Sequence, residues 1–224
     1  MIAAVIFDLD GLLMDTEPVW HQARVDLFMR CGLMWTKEDQ ERCMGVSTAA
    51  WVNTMVEKLG GRLSPPVVLE EILSRMTTSY ANGDVRILPG AHDALAFTSV
   101  RFRLGLASGS PRRLIDAALA GAKWTQYFQQ VLSSDDVASG KPAPDVYVEI
   151  MRRMNVRGRE TAVVEDSGNG ILAGIAAGAN VVAVPNRFMR PRVEILGRAT
   201  AVIDSLEMLS EALAQLERPG GSAR

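Results

Sequence analysis

Residues 1–20 read MIAAVIFDLDGLLMDTEPVW. The apolar run from Ala3 to Phe7 leads directly into Asp8, and Asp10 and Gly11 follow. An unbroken apolar run of this kind reads as a strand buried on both faces of a parallel sheet. Ending it in two carboxylates is costly, because each loses water at the edge of an apolar core and the two repel one another. A cation, a reaction, or both must compensate them.

Similar runs recur downstream, at 102–107 (FRLGLA), 129–133 (QQVLS), 161–165 (TAVVE), 180–184 (NVVAV) and 200–203 (TAVI). Helical patterns fall between most of them, at 91–99, 111–121, 144–155, 168–178 and 205–217. This alternation implies an α/β fold, a doubly wound Rossmann-like parallel sheet. The stretch from about 17 to 82 breaks it. Val19, Ala23 and Phe28, then Trp51, Met55, Val56 and Leu59, recur at helical spacing, and SPPVVLEEILSRM begins with a cap-like Ser64 and early prolines. The region is too long for a loop and is expected to be an inserted helical cap. Two domains follow from this reading: a core of residues 1–15 plus 84–224, and a cap of residues 16–83, with 81–90 as the return linker.

The 224-residue chain is 48% hydrophobic and 22% charged with a net charge of −2, an ordinary soluble balance that offers no basic excess for nucleic acid. Cys31 and Cys43 stand at no metal-ligand spacing, which fits a reducing, cytoplasmic setting. No signal peptide and no membrane span are expected, and the tail ERPGGSAR is expected to fray. The Met-rich cap, including Met29, Met44 and Met55, reads as adaptable packing.

Ligands of open parallel sheets bind beyond the carboxyl ends of the strands. Four strand ends carry polar clusters here: Asp8 to Gly11, Ser108 to Arg112, Asp135 onward to Lys141, and Glu165 to Ser167. Asp8, Asp10, Glu165 and Asp166 form an all-oxygen set that suits Mg²⁺. Lys141 is a point charge for phosphate oxygens, and Ser108 with the amide of Gly109 can donate to the same oxygens. A phosphoryl site follows. Hydrolysis of phosphate monoesters needs up to roughly 10²¹-fold acceleration, which such a concentration of charge would serve. Either a metal-bound water or a carboxylate attacks. Two aspartates two residues apart favour the carboxylate, with the second as general acid and base.

The segments DLDGLLMDTEP, ASGS, GKPAPD and VVEDSGNG, in this order and spacing, resemble the four motifs of the haloacid dehalogenase superfamily, most closely its phosphatase and β-phosphoglucomutase-like branch. The resemblance covers essentially the whole chain. It implies that Asp8 is the nucleophile and Asp10 the general acid and base, and that Ser108 and Lys141 hold the phosphoryl group. It further implies that Asp8, the Asp10 carbonyl and Asp166 bind Mg²⁺, with Glu165 directly or through water. The dehalogenases lack the second aspartate of the first motif, so the presence of Asp10 points to phosphoryl transfer.

The mutases of this branch carry a Gly-Val-Ser-Arg cap segment. Here MGVSTAAW places Thr48 at the arginine, and Trp20 stands where those mutases have a histidine. Both departures favour a phosphatase of a sugar or polyol phosphate, with the mutase as alternative. Arg112 at a helix start, Ser110, and Thr16, Glu17, Trp20, Val46 and Ser47 from the cap side are candidate substrate contacts. The aspartates 135 and 136 read as a solvated loop pair. The expected partner is a small phosphate monoester. The sequence sets no oligomeric state, and a monomer is compatible with it.

Overall fold

The computed structural model describes residues 1–43, 46–186 and 190–217; Met44 and the tail from residue 218 lie outside the described residues. Among the described residues eight strands form two sheets: β1 (Ala4–Phe7), β2 (Met14–Asp15), β3 (Arg86–Ile87), β4 (Arg103–Ser108), β5 (Gln130–Ser133), β6 (Thr161–Glu165), β7 (Asn180–Ala183) and β8 (Ala201–Val202). Six of them build a parallel sheet in the order β5-β4-β1-β6-β7-β8. The first strand is therefore central, buried on both faces, as its unbroken apolar run requires.

Successive side chains of a strand face opposite ways. Val5 and Phe7 join a core with the helices α5 (Ala91–Ser99), α6 (Arg112–Ala122) and α10 (Leu209–Leu216). Ala4 and Ile6 join a second core with α7 (Asp145–Arg153) and α8 (Gly168–Ala176). A short α9 (Val193–Leu196) packs on α8. Helices on both faces of a central parallel sheet make the α/β doubly wound architecture.

The register places the chemistry. Phe7 lies opposite Leu106 and Val164, so Asp8, Ala107 and Glu165 emerge side by side at one edge. Ser108 pairs with Ser133 at the same edge.

Among the described residues between β2 and β3 lie four helices: α1 (Glu17–Arg30), α2 (Lys37–Cys43), α3 (Thr48–Lys58) and α4 (Pro65–Asn82). Their own core includes Trp20, Phe28, Trp51, Met55 and Ile72, and Leu114 of α6 inserts into it from below. Ser64 stands at the start of α4 in an extended conformation, but its side chain makes no capping bond. β2 and β3 pair antiparallel at the entry and exit of this bundle, where Arg86 donates to Asp15 at 2.6 Å. Strands of two residues carry no readable periodicity, so the sequence showed only a linker over 81–90.

Candidate active site

Lys141 is 4% exposed. Its ammonium donates to Asp8 Oδ1 at 2.6 Å, to Glu165 Oε1 at 2.6 Å and to the Ala107 carbonyl at 3.1 Å. All three of its protons are thereby used, which makes burial of the charge tolerable. Burial pushes the pKa of Lys141 down, but the Asp8 and Glu165 carboxylates outweigh it and hold the ammonium well above its ordinary value.

Glu165 is fully buried and fully engaged. The Tyr147 hydroxyl donates to the same Oε1 at 2.6 Å. The amides of Asp166 and Ser167 and the Ser167 hydroxyl donate to Oε2 at 3.1, 3.2 and 3.0 Å. Only glycine fits at 170, because a Cβ there would overlap the Glu165 carboxylate.

Asp166 faces Asp8 across the strand ends. Its Oδ2 accepts from Asn186 at 2.7 Å, whereas its Oδ1 is buried with no hydrogen-bond partner. Gly11, at φ +80°, lets the loop after β1 pass this carboxylate; a Cβ would overlap Asp166 and Asn186. Burial pushes the Asp166 carboxyl well above the ordinary range, and the charges of Asp8 and Glu165 push the same way. Burial also raises Asp8, against the pull of Lys141. One carboxylate oxygen from each of Asp8, Glu165 and Asp166 lies within 4.8 Å of the others. An orphaned buried oxygen among crowded hard ligands fits a divalent cation, and Asp8 and Asp166 have the capacity to hold one.

Asp10 occupies a different environment. Its Oδ2 accepts from the hydroxyls of Ser108 and Ser110, both at 2.8 Å. Its Oδ1 accepts from the Trp20 indole of the cap at 3.4 Å. The Ser110 amide donates to Ser108 Oγ at 2.9 Å, closing the turn before α6. Asp8, Asp10, Gly109, Ser110, Lys141 and Asp166 thus come from three strand ends and the β5–α7 loop to line one narrow cleft of about 50 Å³. The cap closes its other side.

Several expected contacts lie elsewhere. The Arg112 guanidinium turns to Asp116 at 2.8 Å and to the Val131 carbonyl at 3.4 Å, with its side chain 55% exposed, away from the cleft. Its helix-start position carried no information about its rotamer. Thr16 is fully buried at the start of α1 and does not line the cleft. Val46 and Glu17 do line it. Asp135, read as a solvated aspartate, instead accepts from the amide and hydroxyl of Thr48 in the cap, at 3.2 and 2.6 Å. Tyr147, Trp51 and Arg24 were missed. For Arg24 a signal existed: Glu17, Trp20 and Arg24 are spaced three and four apart, which puts them on one helix face.

With this geometry established, the chain can be set beside known proteins. The model of the haloacid dehalogenase-like hydrolases matches residues 5–184. The chain belongs to that family. It is an enzyme of the phosphatase and β-phosphoglucomutase-like branch, a HAD-type phosphatase. Similar to this hydrolase is a phosphorylated carbohydrates phosphatase of Thermotoga maritima, 34% identical over 179 residues, covering 78% of this chain and 81% of the relative. Hexitol phosphatase B of Escherichia coli is 28% identical, covering 82% and 84% respectively. A β-phosphoglucomutase from Clostridium difficile shares the fold with a TM-score of 0.83 at 25% identity, covering 96% of this hydrolase and 97% of that chain. Among the described residues no helix is long and apolar enough to cross a membrane.

Proposed function

We propose that this hydrolase is a Mg²⁺-dependent phosphatase that releases phosphate from a small sugar or polyol monophosphate through an aspartyl-phosphate. Residues 16–83 act as its cap and the rest as its catalytic core. The observation that carries the reading is the unequal treatment of the two motif carboxylates. Asp8 is held by Lys141 at 2.6 Å beside Asp166, and Asp10 is held by two serine hydroxyls and the cap indole.

Asp8 is the nucleophile, with its second oxygen directed to phosphorus. Lys141 orients it and offsets the charge of the phosphoryl oxygens, and the Gly109 amide donates to the same group, joined by the Ser108 hydroxyl when it turns from Asp10. Asp10 protonates the leaving alkoxide and later takes a proton from the attacking water, a role worth about 10²–10⁴-fold. Asp8, the Asp10 carbonyl and Asp166 would hold Mg²⁺, which supplies charge neutralisation between carboxylates and substrate. Glu165 serves chiefly to fix Lys141, since its oxygens are already engaged. The free thiols of Cys31 and Cys43 suit a reducing, cytoplasmic setting.

Water, not a second substrate hydroxyl, discharges the phospho-enzyme in this reading. A mutase must grip a second phosphate. Thr48, at the mutase arginine position, is neutral and tied to Asp135, and Arg112 turns away from the cleft. The test is a panel of sugar and polyol monophosphates with Mg²⁺, with β-glucose 1-phosphate included. Phosphate release without stimulation by a sugar bisphosphate is expected. Conversion of β-glucose 1-phosphate to glucose 6-phosphate with little free phosphate would establish the mutase instead.

A further inference from the structure

Helix α1 presents Glu17, Trp20 and Arg24 along one buried stripe into the cleft, opposite Asp8 and Lys141. Arg24 is 3% exposed, and its guanidinium lies against the Trp20 ring at 4.9 Å. Its Nε and Nη1 are sealed from solvent and make no hydrogen bond. Arginine stays charged in proteins, and a buried guanidinium without acceptors leaves part of its desolvation cost uncompensated. The other cation lining the cleft, Lys141, has all its protons engaged by Asp8, Glu165 and Ala107. Arg24 is thus a cation with spare donors, facing the reacting groups from the cap side.

Its surroundings select the acceptor. Glu17 and Asp10 also act on the Arg24 charge, and Glu17 lines the same cleft. A doubly charged phosphate entering here would meet two nearby carboxylates as well as the arginine. A carboxylate brings one charge and a planar pair of oxygens that matches the guanidinium fork. The Trp20 ring packs against the guanidinium at 4.9 Å and backs it on one side.

Resting on the phosphatase reading of the cleft, we propose that Arg24 is a specificity-determining residue that binds a carboxylate at the far end of the substrate. The preferred substrate class is then a phosphorylated sugar acid or polyol acid, over the neutral phosphate of the same carbon skeleton. A charge-assisted pair of this kind corresponds to roughly 10- to 100-fold in kcat/KM.

Matched pairs test this with Mg²⁺ present: 3-phosphoglycerate against glycerol 3-phosphate, and 6-phosphogluconate against glucose 6-phosphate. The expected result is a kcat/KM at least about 10-fold higher for the acid of a pair, falling toward a ratio of one in Arg24→Gln and to an intermediate ratio in Arg24→Lys. A purely structural arginine would lower both members together and leave the ratio unchanged, which overturns the proposal. So does a wild-type enzyme that does not prefer the acid, or that prefers a bisphosphate, and this arm needs no variant to fold. Calorimetric titration of the same pairs into Asp8→Asn protein requires no turnover. If no compound releases phosphate, the phosphatase reading fails, while tighter binding of an acid in that titration still supports Arg24 and its absence rejects it.

Discussion

Thr48 of the cap and Asp135 of the core are joined by two hydrogen bonds, from the Thr48 amide at 3.2 Å and from its hydroxyl at 2.6 Å. Few other polar contacts cross between the layers; the Arg113 guanidinium reaches Glu70 at 3.0 and 3.1 Å on the outer surface. A cap that must admit substrate and then exclude water needs a contact of limited strength here. Asp135→Ala removes about 1–2 kcal/mol of closure. The expected outcome is a KM raised roughly 3- to 10-fold, with unfolding stability lowered by no more than the same ~1–2 kcal/mol. Steady-state kinetics and urea unfolding check both parts.

The Lys141–Glu165–Tyr147 cluster behaves as one unit. Glu165→Gln leaves the buried Lys141 short of a counter-charge and costs about 3 kcal/mol of stability, as breaking buried ion pairs does. Tyr147→Phe removes a 2.6 Å bond and costs about 1–2 kcal/mol. Because both changes touch the same Oε1, the double variant loses less than the sum. Denaturant unfolding of the three variants measures this, and strict additivity would show that the bonds do not share an acceptor.

Metal removal abolishes phosphate release, since Asp8, Glu165 and Asp166 crowd their oxygens within 4.8 Å and a phosphate adds further negative charge. Activity returns with Mg²⁺. Ca²⁺ inhibits, because its longer bonds and higher coordination number displace the nucleophile. Full activity in excess chelator would contradict the cation site.

Stability of the cap depends on acid pH through Asp39. Burial raises the pKa of this carboxyl, but bonds from Lys58 and from the Thr36 hydroxyl and amide outweigh it and hold it below the ordinary value. A depressed folded pKa contributes stability above the unfolded value, near 4, and that contribution is lost as pH falls through the folded value. Asp39→Asn therefore destabilises by about 1 kcal/mol at pH 7, and the gap to wild type closes below about pH 4. Thermal unfolding of both proteins across this range gives the comparison.

The sheet was legible because its strands are unbroken apolar runs closed by polar clusters. Asp8, Ser108, Lys141 and Glu165 each stand where such a run or its following loop ends, so period and punctuation located them. Side-chain direction was not legible. Arg112 and Arg24 both open or line helices near the cleft, yet only the packed structure turns the first outward and the second in. Asp135 looked like an ordinary loop acid because its partner Thr48 lies 87 residues away in sequence. Tyr147 carried no signal of its own in the sequence, and the core environment is what brings its hydroxyl to Glu165.

In the proposed mechanism phosphorus passes through Asp8. A single turnover with a hydrolysed sugar or polyol phosphate, quenched in acid at successive times, allows the peptide containing Asp8 to be followed by mass. This peptide is expected to gain one phosphoryl group before free phosphate appears and to lose it as phosphate accumulates, and Asp8→Asn is expected to show neither. Phosphate released at full rate while the Asp8 peptide stays unmodified, together with near-native turnover by Asp8→Asn, would contradict it and make water the direct nucleophile.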